Sequence, residues 1–493
     1  MNTISYQSKL FQSKRKTNHK EYREFILRLE SIDKIFTQSG IEFELAESYL
    51  EQVLEAKKKC KGNDSRLTAK EIQRHTLYAV QALRCNYLRH ELGTSFRETS
   101  FLIASSEDLQ RFTMSGDLSY AQCPGKSKLQ EFSKVSSSEY IKKLNDTLYS
   151  EFADVRNIEK YDLSNPLETK TILIDSFCLE ANIHFPVDWV LLRDAARTLV
   201  KSIKCIRSHG LKYRIPAPEE FARKMNSLCI EMTNSRRKKS AKKKRKNVFR
   251  RMKALVGVIK EHAVRYRDIL NAKWEESDLS KAEADQIIKR LDNVLYKLPK
   301  ALKQANDRII SGRLTDSKEK ILSLYDDSAS VIVRGKDGAE VEFGNELLIT
   351  EQLDGFIIDF QLYENKIADT NKLRGRLEKV KTEVQAIGAD RGFHSKTISN
   401  ELEKFNIFNG ICPRAPNELI EKRKDPQFRK LQTRRSQTEG RIAAVKRFIG
   451  KLSPCSKFED KESNIAWGMF SHNLNLLARK MIAEQKHKIA LAA

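Results

Sequence analysis

Long apolar runs are missing from this 493-residue chain. No stretch approaches the roughly 18 apolar residues that a bilayer-spanning helix needs. The basic segment MNTISYQSKLFQSKRKTNHKEYREF has no apolar h-region behind it, so neither a membrane span nor a secretory signal is predicted. The expected location is inside the cell. Paired cysteines are missing too. The eight cysteines (60, 85, 123, 178, 205, 229, 412 and 455) include no C-x-x-C, which argues against a zinc site of paired ligands and a disulfide framework and leaves reduced thiols. Acid is in short supply: 66 Asp and Glu stand against 91 Lys and Arg, a formal net charge of +25. Such a balance predicts a polyanionic partner, foremost nucleic acid.

Strand signals are nearly absent over residues 20–160, which read as amphipathic helices joined by short polar turns, with a break at Pro124 and Gly125. The texture changes at TKTILIDSFCLEANIHFP, which lacks a helical period and reads as a buried strand running past Asp175. Helical text then returns for some 130 residues and contains RRKKSAKKKRK at 236–246, nine of whose eleven residues are basic. This run reads as a solvated loop, a phosphate-tracking arm or a localisation signal. From 330 the chain predicts an antiparallel meander of three strands, with turns at Lys336-Asp337-Gly338 and Leu353-Asp354-Gly355. A helix at 366–383, a short strand ending at Asp390, a second short strand in FNIFNGICPR, a long basic helix and a closing amphipathic helix complete the order.

In the basic helix, Ile442, Val445, Phe448, Ile449 and Leu452 form one apolar stripe with Glu439 at its edge. Arg435 and Lys446, four before and seven after Glu439, are expected on the same face. Residues 421–447 hold ten Lys or Arg and three Asp or Glu, a local charge of +7. Asp175, Asp390 and Glu439 thus sit on three separated elements that can converge on one sheet edge. Carboxylates gathered in this way suit hard divalent cations, and two metals about 4 Å apart serve in-line phosphoryl displacement.

Four stretches, around Asp175, in the meander, around Asp390 and in RRSQTEGRIAAVKR, resemble the DDE transposases of bacterial insertion sequences. The last has the spacing of the tyrosine-arginine-glutamate-lysine signature in one branch of that family, although Gln432 stands where the tyrosine would fall. HNLNLLARK at 472–480 looks like the family's closing helix. The likeness covers about 90–200 and 325–485. It implies an α+β, α-rich chain: a helical DNA-binding region (1–165), and a ribonuclease H-like mixed-sheet catalytic domain in two parts (166–200 and 326–485) interrupted by a basic helical insertion (201–325). It further implies Mg²⁺, with Mn²⁺ as a substitute, held by Asp175, Asp390 and Glu439, and phosphate contacts from Arg434, Arg435, Arg441 and Lys446. The implied partners are double-stranded DNA, as element ends and target, and a second copy in a synaptic complex. The rival readings are a metal nuclease without strand transfer and a non-catalytic DNA-binding descendant.

Overall fold

A computed structural model describes residues 18–62, 65–115, 122–235, 241–316, 319–336, 339–380, 384–453 and 455–492. Within the described residues, seven α-helices precede the sheet: α1 (Lys20–Ser39), α2 (Ile41–Lys61), α3 (Ala69–Leu92), α4 (Phe96–Ser105), α5 (Glu107–Phe112), α6 (Lys126–Phe132) and α7 (Ser138–Ala153). Local chemistry sets their starts. Thr68 and Ser95 each accept from the backbone N–H three residues on, and Glu71 and Glu98 reach back to the cap N–H, so two orphan donors are satisfied at each helix head.

The sheet is mixed, giving the expected α+β class. Its strands are β1 (Thr171–Ala181), β2 (Ser330–Lys336), β3 (Ala339–Gln352), β4 (Ile357–Tyr363), β5 (Ala386–Ala389), β6 (Phe408–Ile411) and β7 (Leu452–Ser453). Strand β1 is central. One edge of it pairs antiparallel with β3 and the other pairs parallel with β5, which in turn pairs parallel with β6. The predicted meander is present, but β2 and β4 share one edge of the long β3, β2 along its first half and β4 along its second. Gly355, at φ +89°, makes the tight turn expected between β3 and β4. Asp337 and Gly338 of the other turn lie outside the described residues, as do residues 236–240 of the basic run.

Between β1 and β2 the chain builds α8 (Asp188–Ser208), α9 (Pro218–Asn234), α10 (Ala241–Lys273) and α11 (Lys281–Asn306). These four bury a core of their own, in which Leu199 and Ile203 meet Met232, Phe249, Ile259 and Leu291. Helix α8 belongs to this insertion rather than to the sheet, so the boundary expected at 200 moves to about 187; the apolar stripe of α8 faces its helical neighbours. The N-terminal helices behave in the opposite way. Phe36, Leu83 and Leu144 share one core with Phe177, Leu347 and Phe360 of the sheet and with Trp467 and Leu474 of the closing helix. The described N-terminal helices are therefore not a separate unit, because they share one core with the sheet and the closing helix.

The second half continues with α12 (Asp369–Val380), α13 (Lys396–Lys404), α14 (Pro416–Lys422), α15 (Pro426–Ser436), α16 (Thr438–Ile449) and the closing α17 (Phe458–Ala492). Asn473 of α17 docks on β4 as a strand would: its Oδ1 accepts from Ile357 N–H (2.9 Å) and its Nδ2 donates to Ile357 C=O (2.8 Å). Lys461, fully buried, donates to Asp326, Ser328 and Asn345 within 2.9 Å, joining α17 to β3 and to the segment entering β2. Removing one partner of a buried pair strands the other charge. Lys461→Met should lower stability by about 3–5 kcal/mol, and adding Asp326→Asn should recover part of it; denaturant midpoints of the two variants check this.

Candidate active site

Two glycines set the floor of the site. Leu173 of β1 pairs with Gly388 of β5, which pairs with Gly410 of β6, and Leu431 of α15 rests over both glycines. A Cβ on Gly388 would come within 2.6 Å of Leu173, and one on Gly410 within 2.7 Å of Leu431. Only bare backbone lets α15 lie this low on the strands. Two residues further along the same face come Asp175 and Asp390. The last parallel pair of β1 and β5 is Ile174 with Ala389, so the two acids are the next residues on strands about 4.8 Å apart. Both are half-buried. Asp390 Oδ1 accepts from Gly392 N–H at 2.8 Å, and Asp175 Oδ1 accepts from Ser176 N–H at 2.7 Å. A Cβ on Gly392 would lie 2.8 Å from a carboxylate oxygen of Asp369 and 2.9 Å from one of Asp390, so Asp369, at the head of α12, adds a neighbouring acid.

The predicted single basic helix is broken at Gln437 into α15 and α16. Phe428 and Leu431 anchor α15 over β5 and β6, whereas Val445 and Ile449 of α16 enter the core shared with α3 and α17. Arg435 thus lies on α15, whereas Glu439 and Lys446 lie on α16. Thr438 Oγ1 reaches Glu351 (3.3 Å), which is paired with Leu173 across β1 and β3, and Lys446 Nζ lies 5.3 Å from the ring of Phe177. Eight residues of helix cover about 12 Å, close to the ~13 Å between residues 173 and 177 of a strand. The first two turns of α16 thus run alongside β1 with Asp175 between their ends. Glu439 stands in that first turn; its side chain lies outside the described residues.

Of the four cations expected to meet DNA, two are turned inward. Arg434 donates through Nε and Nη2 to the Leu353 carbonyl (2.9 and 2.7 Å) and lies 3.8 Å from Glu351. Arg441 lies 3.7 Å from Glu351 and packs its guanidinium against Gly355. Both serve Glu351, which is 2 % exposed. Arg435, half-buried, is held by a relay: its Nε donates to Gln432 Oε1 (3.1 Å), while Gln432 Nε2 donates to the carbonyls of Ala389 (3.2 Å) and Gly410 (2.6 Å). Gln432 thus ties α15 to the ends of β5 and β6. Beside it, Arg391, Arg423, Arg429 and Arg435 line a cleft of about 490 Å³ to which no Asp or Glu contributes.

Sequence reasoning missed Glu351, Asp369 and three of these arginines. Glu351 had a signal, since its parity with Leu347 and Ile349 marks an inward position. Arg423 and Arg429 lay in the basic run 421–447, but nothing in the sequence joined them to Arg391, because the cleft draws on three separate segments. Among the described residues no cluster of three His, Cys, Asp or Glu is ready to hold a metal ion. Asp175 and Asp390 offer carboxylate oxygens, the donors that hard divalent cations take.

Burial, working against the attraction of Arg441 and Arg434, holds the Glu351 carboxyl above its ordinary range. The stability this group contributes is complete below its unfolded pKa of about 4.3 and is lost as pH rises through the higher folded value. Glu351→Gln removes that dependence. The midpoint difference, variant minus wild type, should therefore be more positive at about pH 8 than at about pH 4, as thermal unfolding at the two pH values will read. Compared with protein-family models, curated proteins and solved structures, the chain matches none.

Proposed function

We propose that this chain is a DNA transposase of the DDE kind, which cuts and joins strands at the ends of an insertion sequence. The observation that carries the reading is that Asp175 and Asp390 are the next residues beyond the last registered pair of the parallel strands β1 and β5, Ile174 with Ala389. A central strand flanked by an antiparallel meander and two parallel strands supports the finer assignment to a ribonuclease H-like catalytic domain. Asp175, Asp390 and Glu439 would hold Mg²⁺, or Mn²⁺ in its place, which supplies Lewis acidity and a more acidic attacking hydroxyl when bound.

The chain's own residues do the positioning. Arg435, fixed by Gln432, stands with Arg391, Arg423 and Arg429 at a cleft without opposing acid, suited to a DNA phosphate beside Asp390. Lys446, over Phe177, offers a second cation at the far end of the Asp175 row. Phosphate contacts of this kind fix the strand without reading its bases. Two element ends must be held together, so the acting form is a dimer or larger assembly on DNA. Among the described residues no helix is long and apolar enough to cross a membrane.

Incubating the purified chain and Mg²⁺ with DNA carrying the sequences that flank its own coding region should give nicks at defined ends, followed by joining to target. Asp175→Asn, Asp390→Asn and Glu439→Gln should each abolish cleavage and joining while leaving DNA binding within a few-fold of wild type, since amides are poor ligands for hard cations. A variant that still cuts at the parental rate removes its acid from the site. Cleavage without joining would leave the nuclease reading in place of the transposase.

A further inference from the structure

The insertion carries a surface that the catalytic reading does not use. Helix α10 buries Phe249, Met252, Val256, Ile259, Ala263, Tyr266 and Leu270 at alternating spacings of three and four. One residue further on, about 100° round the helix, a second stripe with the same spacing reads Lys243, Lys246, Arg250, Lys253, Gly257 and Lys260. It holds no acid and spans about 26 Å. None of its five cations is in an ion pair among the described residues, although acids are at hand. Glu219 pairs with Lys204, Glu231 with Arg251, Asp285 with Lys281 and Asp292 with Arg267, all within 3.1 Å. These four acids are thus engaged with cations off the stripe, which is left unmatched.

Gly257 has no explanation in the fold. It lies in the interior of a 33-residue helix, where glycine weakens the helix relative to alanine. A Cβ there would meet nothing within 4 Å, so no neighbouring element requires its absence. It sits instead in an open groove of about 990 Å³ with Lys253, Lys260, Arg265 and Lys273. Glu261 and Asp268 also line the groove, and Arg267 holds Asp268 at 2.7 Å. A bare helix backbone between cations allows something outside the chain to come close.

We propose that this flank of α10 is a seat for the sugar-phosphate backbone of duplex DNA, with Gly257 at the point of closest approach. The proposal rests on the reading that the chain acts on DNA, and assigns to the insertion the grip on duplex outside the catalytic site. Its cations are not sequence readers, so the seat holds any duplex.

The test uses the full chain and a random-sequence duplex, with affinity measured across a salt series. Changing Lys243, Lys246, Arg250, Lys253 and Lys260 to Gln should flatten the log-log salt dependence by about 0.9 for each phosphate no longer neutralised, about 4.5 where all five are engaged. Lys243, Arg250, Lys253 and Lys260 are exposed and Lys246 is half-buried, and an unchanged unfolding midpoint confirms the fold. Gly257→Ala should raise the unfolding midpoint. Gly257→Leu should keep it at or above wild type yet weaken duplex binding by about tenfold or more, the loss expected when one or two charge-assisted hydrogen bonds are held off. An unchanged salt slope, or wild-type binding by Gly257→Leu, overturns the seat. Tighter binding of the wild type to phosphatidylserine vesicles than to DNA, abolished in the five-residue variant, also overturns it and assigns the flank to a membrane surface. Strand cleavage that survives with an unchanged slope would sink the seat alone, whereas full duplex binding without metal-dependent cleavage would sink the catalytic reading alone.

Discussion

The site hangs on one register. Leu173 faces Gly388 across the β1–β5 ladder, and Gly388 faces Gly410 across β5–β6. In a sheet a slip of one residue sends every side chain to the opposite face. Were β5 displaced by one position, Ile387 would take the place of Gly388 beneath α15, and Asp390 would turn away from Asp175. Leu431 seated on two glycines and Ile387 buried in the opposite core both oppose that slip. The packing that places α15 is thus also the packing that pairs the two acids.

From there, constraint passes along the chain. The chain is tied to the strand ends through Gln432 of α15 and to the core with α3 and α17 through α16, and the helix is interrupted between these two anchors at Gln437. Glu351 secures that break from below, with Thr438 bonded to it and Arg434 and Arg441 drawn toward it. A buried carboxylate is costly unless cations face it. This cost gives the two arginines an inward role that the number of basic residues in the helix does not reveal.

Much of the architecture was legible in residue patterns. The apolar, aperiodic text around Asp175 marked β1, the Leu353-Asp354-Gly355 turn marked the meander, and Asp390 was placed at a strand end. Pairing was not legible, because β1 meets β5 across more than two hundred residues of intervening chain. Nor was the break at Gln437: the residue keeps an ordinary helical conformation (φ −76°, ψ −10°), and neither Pro nor Gly marks it. The helical N-terminal region read as a separate unit because each helix shows a clean stripe, and a stripe does not say which partner covers it. For Gln432, resemblance pointed to a missing tyrosine, whereas the structure gives the amide an anchoring role of its own through two carbonyls and Arg435.

The placement of the insertion follows from the same logic of cores. Entering after β1 and leaving before β2, it interrupts the sheet at two sequence points yet leaves the β1–β3 ladder continuous from Ile172 to Glu180. That is possible because α8 to α11 bury their stripes against one another and ask little of the sheet. An element so nearly self-sufficient is free to vary its outer surface without disturbing the registered acids. Its acids are drawn into pairs with some of its cations while the α10 stripe is left open. Charge left unmatched on a rigid helix is pre-positioned at no further cost in backbone entropy, so it can hold an extended polyanion more effectively than the same residues in a loose loop.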